Sequence, residues 1–356
     1  MATLRSFCRH RPHNSVAISS IPRALTRSAT RTTACRRRHT NTCTNNSNSS
    51  TMLPAVAHRR QAHQMATATT SGHYGRHTAD SYESAYFYSR GEYTDWLKGE
   101  VISALAGSSE NSNASTGKRR LIDIGGGTGN FTRMILDGVP NMEAVVVDPF
   151  LEASSDFNHD NSDGTGIDNG EIQFVKAGAE DYAEITQAGT GTSTSNNETW
   201  WKRDYDQVLM KEVVHHLDAS DRTNVFRGLR KGLRSRSDAD TGPSVVIVTR
   251  PQLDIDYPLW SAARKVWAEN QPSASDIKTD LSAAGFEEVE STIKMYPAQI
   301  QLDRWLAMVR DRFWSTFSNF SDDELEDACR LIEMEAKTDA GGIVHFEDRL
   351  VFISAK

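Results

Sequence analysis

LIDIGGGTGNFT, residues 121–132, is the stretch that decides the predicted fold. It begins with an apolar run of strand length, Leu121–Ile124, and continues with glycines at alternate positions, Gly125, Gly127 and Gly129. Glycine lets the backbone turn tightly and approach a ligand without a clash at Cβ. The stretch therefore predicts a β-strand, a tight turn that can hold a ligand, and the start of a helix.

Outward from this stretch, strand-like and helix-like segments alternate, which predicts a parallel sheet covered by helices on both faces. The last two strands can run antiparallel to each other. The prediction is thus an α/β fold with a Rossmann-like, doubly wound, mostly parallel seven-stranded sheet and an antiparallel last strand. Its strands are Leu121–Ile124, Ala144–Val147, Ile172–Val175, Gln207–Met210, Val245–Val248, Val289–Met295 and Ile343–Ile353.

A helical cap is predicted between the last two strands, over residues 299–337, together with residues 251–275. Ser321, followed by Glu324 three residues later, is typical of a capping box at a helix start. One apolar stripe is predicted to run through the cap at helical spacing. It consists of Leu302, Trp305, Leu306, Val309, Phe313 and Phe317.

The N-terminal residues 1–79 contain twelve Arg and no Lys, Asp or Glu, and the first acidic residue is Asp80. This Arg-, Ser- and Thr-rich, acid-free composition predicts an organelle transit peptide and a disordered linker, with residues 80–356 as the folded domain. The expected location is the mitochondrion, with a plastid as the alternative. A disordered tail or a misassigned start codon is the competing interpretation.

The folded part is acidic, because the whole chain has a net charge of −7 despite its basic N-terminus. This argues against nucleic acid as a partner and favours a small-molecule substrate. No stretch has the ~20 apolar residues that a membrane span needs. Of the four cysteines, only Cys329 lies beyond the predicted transit segment, so neither a disulfide framework nor a cysteine metal site is expected. The oligomeric state is left open.

Asp123 stands two residues before the first glycine of the turn. A carboxylate there suits a cationic ligand, whereas a pyrophosphate site favours open amides without a nearby acid. A dinucleotide fingerprint beginning at Gly125 would also need a glycine at position 130, where the chain has Asn130. Asp123 is therefore a candidate to receive the ammonium group of an amino acid.

Asp148 ends the second strand, nineteen residues after Gly129. A carboxylate at this strand end can accept hydrogen bonds from both ribose hydroxyls of a nucleoside. NAD and S-adenosylmethionine (SAM) both contain ribose, so Asp148 does not choose between them. The alternative is an acid that only stabilises a turn or caps a helix.

In order along the chain, LIDIGGGTGNFT, VVVDP, AGAEDY and YDQVLMKEVVHHL resemble the signature of class I SAM-dependent methyltransferases. This resemblance implies SAM as the cofactor, with the methionine part beside Asp123 and the glycines and the ribose on Asp148. Many members carry Asp where this chain has Gly178, which shifts the expected adenine contact to Glu180, Asp181 or backbone amides. The implied cofactor-binding residues are Asp123, Gly125, Gly127, Gly129, Asp148, Glu180, Asp181 and Lys211, the last acting chiefly through its carbonyl near the methyl group.

His215 and His216 follow the fourth strand and are the candidate bases. A base is needed only if the acceptor loses a proton, as a hydroxyl does and a thioether does not. In the family that this chain resembles, such a pair often serves structure or lines the cofactor site instead. An aromatic cluster at Tyr82–Tyr88 resembles the N-terminal helix that many members fold over the cofactor. It either faces the sulfonium or docks that helix on the core.

The candidate substrate-binding residues are Arg250, Tyr257, Trp260 and Arg312. A guanidinium suits a carboxylate and the aromatic rings supply apolar walls, which predicts a small acceptor bearing a carboxylate, methylated on sulfur or oxygen. The cap is similar to uncharacterised methyltransferases of algae and invertebrates. That similarity suggests 4-methylthio-2-hydroxybutyrate, an intermediate of dimethylsulfoniopropionate synthesis.

Three other functions compete with this interpretation. The first is a quinone-type methyltransferase, and the second is a non-catalytic assembly factor that keeps the fold. A nicotinamide-dependent oxidoreductase is the third, and it is disfavoured by Asn130 and by the position of Asp123.

Overall fold

The computed structural model describes residues 91–106, 118–151, 172–188, 201–202, 204–234 and 242–356. The predicted boundary near residue 80, the transit segment and the Tyr82–Tyr88 cluster lie outside the described residues. Those interpretations therefore stay predictions.

Helices and strands alternate along the described chain. In order, the elements are α1 (Glu92–Ala106), β1 (Arg119–Ile124), α2 (Asn130–Gly138), β2 (Met142–Val147), β3 (Ile172–Val175), α3 (Ala179–Ala188), β4 (Gln207–Lys211), α4 (Arg222–Gly232), β5 (Val245–Thr249), α5 (Ser261–Asn270), α6 (Ala274–Ala284), β6 (Glu290–Gln301), α7 (Leu302–Arg310), α8 (Asp322–Glu335) and β7 (Ile343–Ala355). Short 3₁₀ turns occupy Val214–His216 and Ser315–Asn319.

The strands form one sheet in the order β3-β2-β1-β4-β5-β7-β6. β1 to β5 pair in parallel, and β7 runs antiparallel to both β5 and β6. This arrangement confirms the predicted mixed seven-stranded α/β fold. The central strands are apolar without alternation because helices bury both of their faces.

β1 and β4 are neighbours at the centre of the sheet, and successive strands are added outward from them in opposite directions. In an open α/β sheet, such a reversal of strand order leaves a crevice at the carboxyl ends of the strands, where ligands bind. The turn after β1 and the turn after β4 both face this crevice.

Two hydrophobic clusters cover the sheet. On one face, α1 and α2 pack together with the cap, and on the other face α3, α4 and α6 pack together. Helix α1 was not predicted from the sequence, although its buried residues recur every four positions. They are Tyr93, Leu97, Val101 and Leu105.

The cap differs from the prediction at its edges. β6 continues to Gln301, so the inserted helices begin at Leu302 rather than at residue 299. The predicted continuous apolar stripe is wrong beyond Val309. The helix ends at Arg310, and Arg312 adopts a left-handed backbone with φ of 52° that redirects the chain.

Phe313 and Phe317 therefore reach the core from a turn and not from the helix. The predicted capping box is confirmed: Ser321 accepts a hydrogen bond from Glu324 N, and the Glu324 side chain accepts one from Ser321 N. In the other cap segment, residues after Ser273 belong to α6, which packs against α4.

Aromatic rings join the two cap segments. The centroid of the Trp267 ring lies 5.4 Å from that of Trp314, and Trp314 lies 5.3 Å from Trp305. Trp260 stacks on Phe317 with 5.8 Å between centroids. Ring contacts of this kind bury large apolar areas, so the cap is anchored chiefly by apolar packing.

Within the described ranges, no helix is long and apolar enough to cross a membrane. The same ranges contain no group of three or more His, Cys, Asp or Glu side chains placed to hold a metal ion.

Two glycines test the helix packing. Gly228 of α4 packs directly against Ala183 of α3. A Cβ added at Gly228 would lie 2.6 Å from both the Cβ and the carbonyl oxygen of Ala183. We expect Gly228→Ala to lower the free energy of unfolding by about 1–3 kcal/mol, because the helices must separate. Gly99 in α1 has nothing within 4 Å, so Gly99→Ala is expected to stabilise by roughly 0.5–1 kcal/mol. Chemical denaturation measures both values, and equal effects would contradict the packing described.

Candidate functional site

The glycine turn after β1 packs directly against the turn after β4. At Gly125, φ is 73° and an added Cβ would lie 2.0 Å from Val213 Cγ2. The N–H of Gly125 donates to the carbonyl of Val147 over 2.7 Å. No larger residue fits at Gly125, so the close contact between the two turns requires a glycine here.

Gly127, at the tip of the turn, is different. Its φ is 55°, yet an added Cβ would meet nothing within 4 Å. Its N–H donates to Asp148 Oδ2 over 3.1 Å. The tip of the turn thus borders open space and is fixed to the end of β2, as a ligand-binding turn requires.

Asp123 is buried beneath the turn, with 2% of its surface exposed. Its Oδ2 accepts a hydrogen bond from Thr132 Oγ1 over 2.5 Å. Burial raises the pKa of Asp123 to about 6, while Thr132 and Lys211 lower it and Asp148 raises it slightly. A carboxylate in this setting is incompletely compensated, and a bound cation would supply the missing charge.

Asp148 is also buried, and burial raises its pKa. Its Oδ1 accepts from Phe150 N over 2.8 Å, and its Oδ2 accepts from Gly127 N over 3.1 Å. Asp148 therefore does stabilise the turn, as the alternative interpretation expected. Each carboxylate oxygen can accept a second hydrogen bond, so the turn role leaves capacity for two ligand hydroxyls.

Glu180 and Asp181 lie in the first turn of α3 and converge on Gly178. A Cβ added at Gly178 would be 3.4 Å from Glu180 Oε2 and 3.6 Å from Asp181 Oδ2. The two carboxylates thus lie next to Gly178, which has no side chain. That one of them takes over an adenine contact from residue 178 stays a prediction.

Lys211 ends β4, and its Nζ lies 5.1 Å from the centroid of the Phe131 ring. Its positive charge lowers the pKa of Asp123 and also that of Glu212. Lys211 therefore acts on one carboxylate at the end of β1 and on one directly after β4. Glu212 itself adopts a left-handed backbone with φ of 59°, which is uncommon for a residue other than glycine.

His215 and His216 form the 3₁₀ turn after β4, with 4.0 Å between ring centroids. His215 Nδ1 is buried and has no hydrogen-bond partner among the described residues. Burial lowers the pKa of His215 well below its usual value, and His216 and Arg250 lower it further. His215 is therefore neutral at physiological pH, whereas the His216 ring is exposed.

Arg250 follows β5 and is 3% exposed, but its guanidinium is engaged within the protein. It pairs with Glu212, donates from Nε to Tyr257 Oη over 2.6 Å, and lies 3.5 Å from Asp348 Oδ1. Tyr257 in turn donates to Asp348. These contacts occupy the charge that was expected to face a substrate carboxylate, so a substrate-binding role for Arg250 and Tyr257 stays a prediction without a supporting contact.

The other two candidate substrate residues lie within the cap. Trp260 is 8% exposed and packs on Phe317 and Phe320. Arg312 donates to the Phe320 carbonyl over 2.9 Å and pairs with Asp322 at 2.7 Å. These contacts connect the bend after α7 to the start of α8. Both side chains therefore stabilise the cap, and their role toward a substrate stays a prediction.

The acidic partners of Arg250 were not predicted from the sequence. Glu212 stands inside the quoted motif but received no role, and Asp348 is a fully buried acid in the otherwise apolar inner face of β7. Tyr93 of α1 donates to Asp348 Oδ2 over 2.6 Å. An acid at a core position of a strand was the available signal, since such a residue is rarely buried without a partner.

Comparison with protein-family models gives no match, and neither does comparison with curated proteins. Among solved structures, the chain is similar to a protein assigned to methyltransferases of an antibiotic biosynthesis pathway in Anabaena variabilis. The identity is 12%, the coverage is 73% of this chain and 97% of the other, and the TM-score is 0.47.

Two further solved structures show a similar level of likeness. A cyclopropane synthase of Mycobacterium tuberculosis has 14% identity, coverage of 74% and 84%, and a TM-score of 0.41. A phosphoethanolamine N-methyltransferase of Haemonchus contortus, in complex with S-adenosylhomocysteine, has 15% identity, coverage of 75% and 58%, and a TM-score of 0.37. The fold is assigned from the strand order of this chain and not from these likenesses.

Asp123→Asn tests the burial of this carboxylate. The folded-state pKa of about 6 exceeds the ordinary value of 3.8, so the neutral acid favours folding at low pH and that contribution is lost as the pH rises through about 6. We expect the unliganded variant to be more stable than the wild type by ~2–3 kcal/mol near pH 8, and the difference to vanish below about pH 4. Urea unfolding across this pH range measures it. A variant that is less stable at every pH would contradict the burial argument.

Proposed function

We propose that this protein is a SAM-dependent methyltransferase that acts on a small acceptor. The observation that carries the proposal is the buried, incompletely compensated carboxylate of Asp123 beneath an open glycine turn. A cationic amino-acid group satisfies this carboxylate, whereas a pyrophosphate would be repelled by it. Asp148 at the end of β2 supplies the second half of a nucleoside site.

The described residues fit SAM from one end to the other. Asp123 receives the ammonium, the tip at Gly127 leaves space for the chain of the ligand, and Asp148 accepts the ribose hydroxyls. Glu180 or Asp181 contacts the adenine beside Gly178. This assignment is supported by the open space at Gly127 and by the spare hydrogen-bonding capacity of Asp148.

When bound, SAM supplies a methyl carbon attached to a positively charged sulfur. The protein's task is to align the acceptor with that carbon and to exclude water. The closely packed turns after β1 and β4 give a rigid floor for this alignment. His215, neutral at physiological pH, is a candidate to orient the acceptor or to hold its proton.

The acceptor proposed from the sequence is small, bears a carboxylate and is methylated on sulfur or oxygen, with 4-methylthio-2-hydroxybutyrate as the candidate to assay first. The Arg-rich, acid-free N-terminal segment supports import into the mitochondrion, or otherwise into a plastid. Loss of the segment in the mature organelle form would support this location.

Titration calorimetry of the full-length protein tests the cofactor. We expect SAM and S-adenosylhomocysteine to bind with micromolar affinity and NAD not to bind. Asp148→Ala should weaken both ligands by at least ~100-fold, because two charge-assisted hydrogen bonds to the ribose are lost. Asp137→Ala, at an exposed acid of α2, should bind like the wild type.

Binding of NAD in place of SAM would overturn the proposal in favour of an oxidoreductase. Binding of none of the three ligands by a folded protein would favour an assembly factor. Melting curves of both variants separate a loss of ligand contacts from a loss of fold.

A further inference from the structure

Glu212 has one carboxylate oxygen whose hydrogen-bonding capacity is not used by the described protein. Its Oε2 pairs with Arg250, while Oε1 is buried and has no hydrogen-bond partner among the described residues. A buried carboxylate oxygen without a donor has lost its water without gaining a hydrogen bond in return, which is unfavourable. An unsatisfied buried acceptor calls for an explanation, and a functional role at the site is one of them.

Glu212 directly follows β4, at the end of the sheet where the glycine turn after β1 also lies. It immediately precedes Val213, the residue that contacts the glycine turn at Gly125. It also follows Lys211, whose charge acts on Asp123. Glu212 is thus at the crevice between β1 and β4, one turn away from the carboxylate proposed to hold the cofactor.

Three other charged groups act on Glu212. They are Lys211, which precedes it on β4, Arg250 after β5, and Asp348 on β7. Asp348 lies beside Arg250 and accepts a hydrogen bond from Tyr257. Arg250 is shared by two carboxylates, Glu212 and Asp348. Glu212 Oε1 can only accept hydrogen bonds while the carboxylate is ionised.

We propose that Glu212 binds the nucleophilic group of the methyl acceptor and takes up its proton, so that the methyl group goes to a hydroxyl or an amine of the acceptor and not to a thioether sulfur. This inference rests on the proposed methyltransferase function. In the reaction, the bond between the methyl carbon and sulfur breaks and its electron pair stays on sulfur. A bond forms between the methyl carbon and the acceptor oxygen or nitrogen, and the acceptor's proton moves to Glu212 Oε1.

The electrostatics of Glu212 suit this role. Burial is the largest influence and raises its pKa; Arg250 and Lys211 lower it, and Asp348 raises it. A carboxylate with a raised pKa is a stronger base than an exposed one. The left-handed backbone at Glu212 supports the same view, because strained positions cluster where a side chain is aimed at a ligand.

The experiment measures transfer of labelled methyl from SAM by the full-length protein to three small probes of similar size, 1-propanol, 1-propylamine and ethyl methyl sulfide. We expect the alcohol or the amine, but not the sulfide, to raise product formation above the rate without a probe. Glu212→Gln should lower that rate by about 100-fold. It should also remove the fall in rate that the wild type shows as the pH drops through the pKa of Glu212.

Glu212→Asp, which keeps the carboxylate, should retain more activity than Glu212→Gln. Glu326→Gln removes the partner of Arg310 in an exposed ion pair and serves as the matched control with wild-type rates. Calorimetry with S-adenosylhomocysteine accompanies each variant. Unchanged binding in Glu212→Gln confirms that the fold and the cofactor site are intact.

Transfer to the sulfide alone would overturn the assignment. Equal rates in the wild type and Glu212→Gln with every probe, including rates no higher than those without a probe, would overturn it as well. Failure of the wild type to bind SAM or S-adenosylhomocysteine would instead contradict the proposed function itself.

Discussion

Contact between the turns after β1 and β4 is the constraint on which the site depends. The two strands pair in parallel and end at the same edge of the sheet, so their turns must share one space. Gly125 makes this possible because any side chain there would overlap Val213. The contact fixes the direction of the glycine turn, the depth of Asp123 beneath it, and the position of Glu212 across the crevice.

Buried charge is the second theme of the structure. Asp123 and Glu212 lie on the two sides of the crevice, and Lys211 lowers the pKa of both without fully compensating either. Arg250 and Asp348 extend this arrangement to the cap and, through Tyr93, to α1. Buried ionic groups add little to stability compared with well-packed apolar residues, so their concentration at one edge of the sheet is better explained by ligand binding.

Much of this architecture was predictable from the sequence because it is encoded locally. The β-branched strand segments, the glycine turn and the capping box at Ser321 each depend on residues close together in the chain, and the structure has all of them. The placement of Asp123 beneath the turn also follows from local spacing, since it precedes Gly125 by two residues. The role of Asp148 in the turn was one of two interpretations, and its hydrogen bonds show that it does serve the turn.

What the sequence did not reveal depends on residues far apart in the chain. The partners of Arg250 lie at positions 212 and 348, and no local pattern connects them. An arginine after a central strand therefore suggested a substrate contact where the structure has an internal ion pair. Similarly, apolar residues at helical spacing continue to residue 317 and gave no sign that the helix ends before Arg312. The bend at Arg312 depends on contacts with the start of α8.

Proton exchange on cofactor binding tests the central claim most directly. If a cationic amino-acid group pairs with Asp123, binding of SAM shifts a pKa of about 6 downward and releases a proton. Calorimetry in buffers of different ionisation enthalpy should detect release of about half a proton near pH 6, falling toward zero near pH 8. Asp123→Asn should abolish that release. Binding of SAM with no proton release near pH 6, or with proton uptake, would contradict the account.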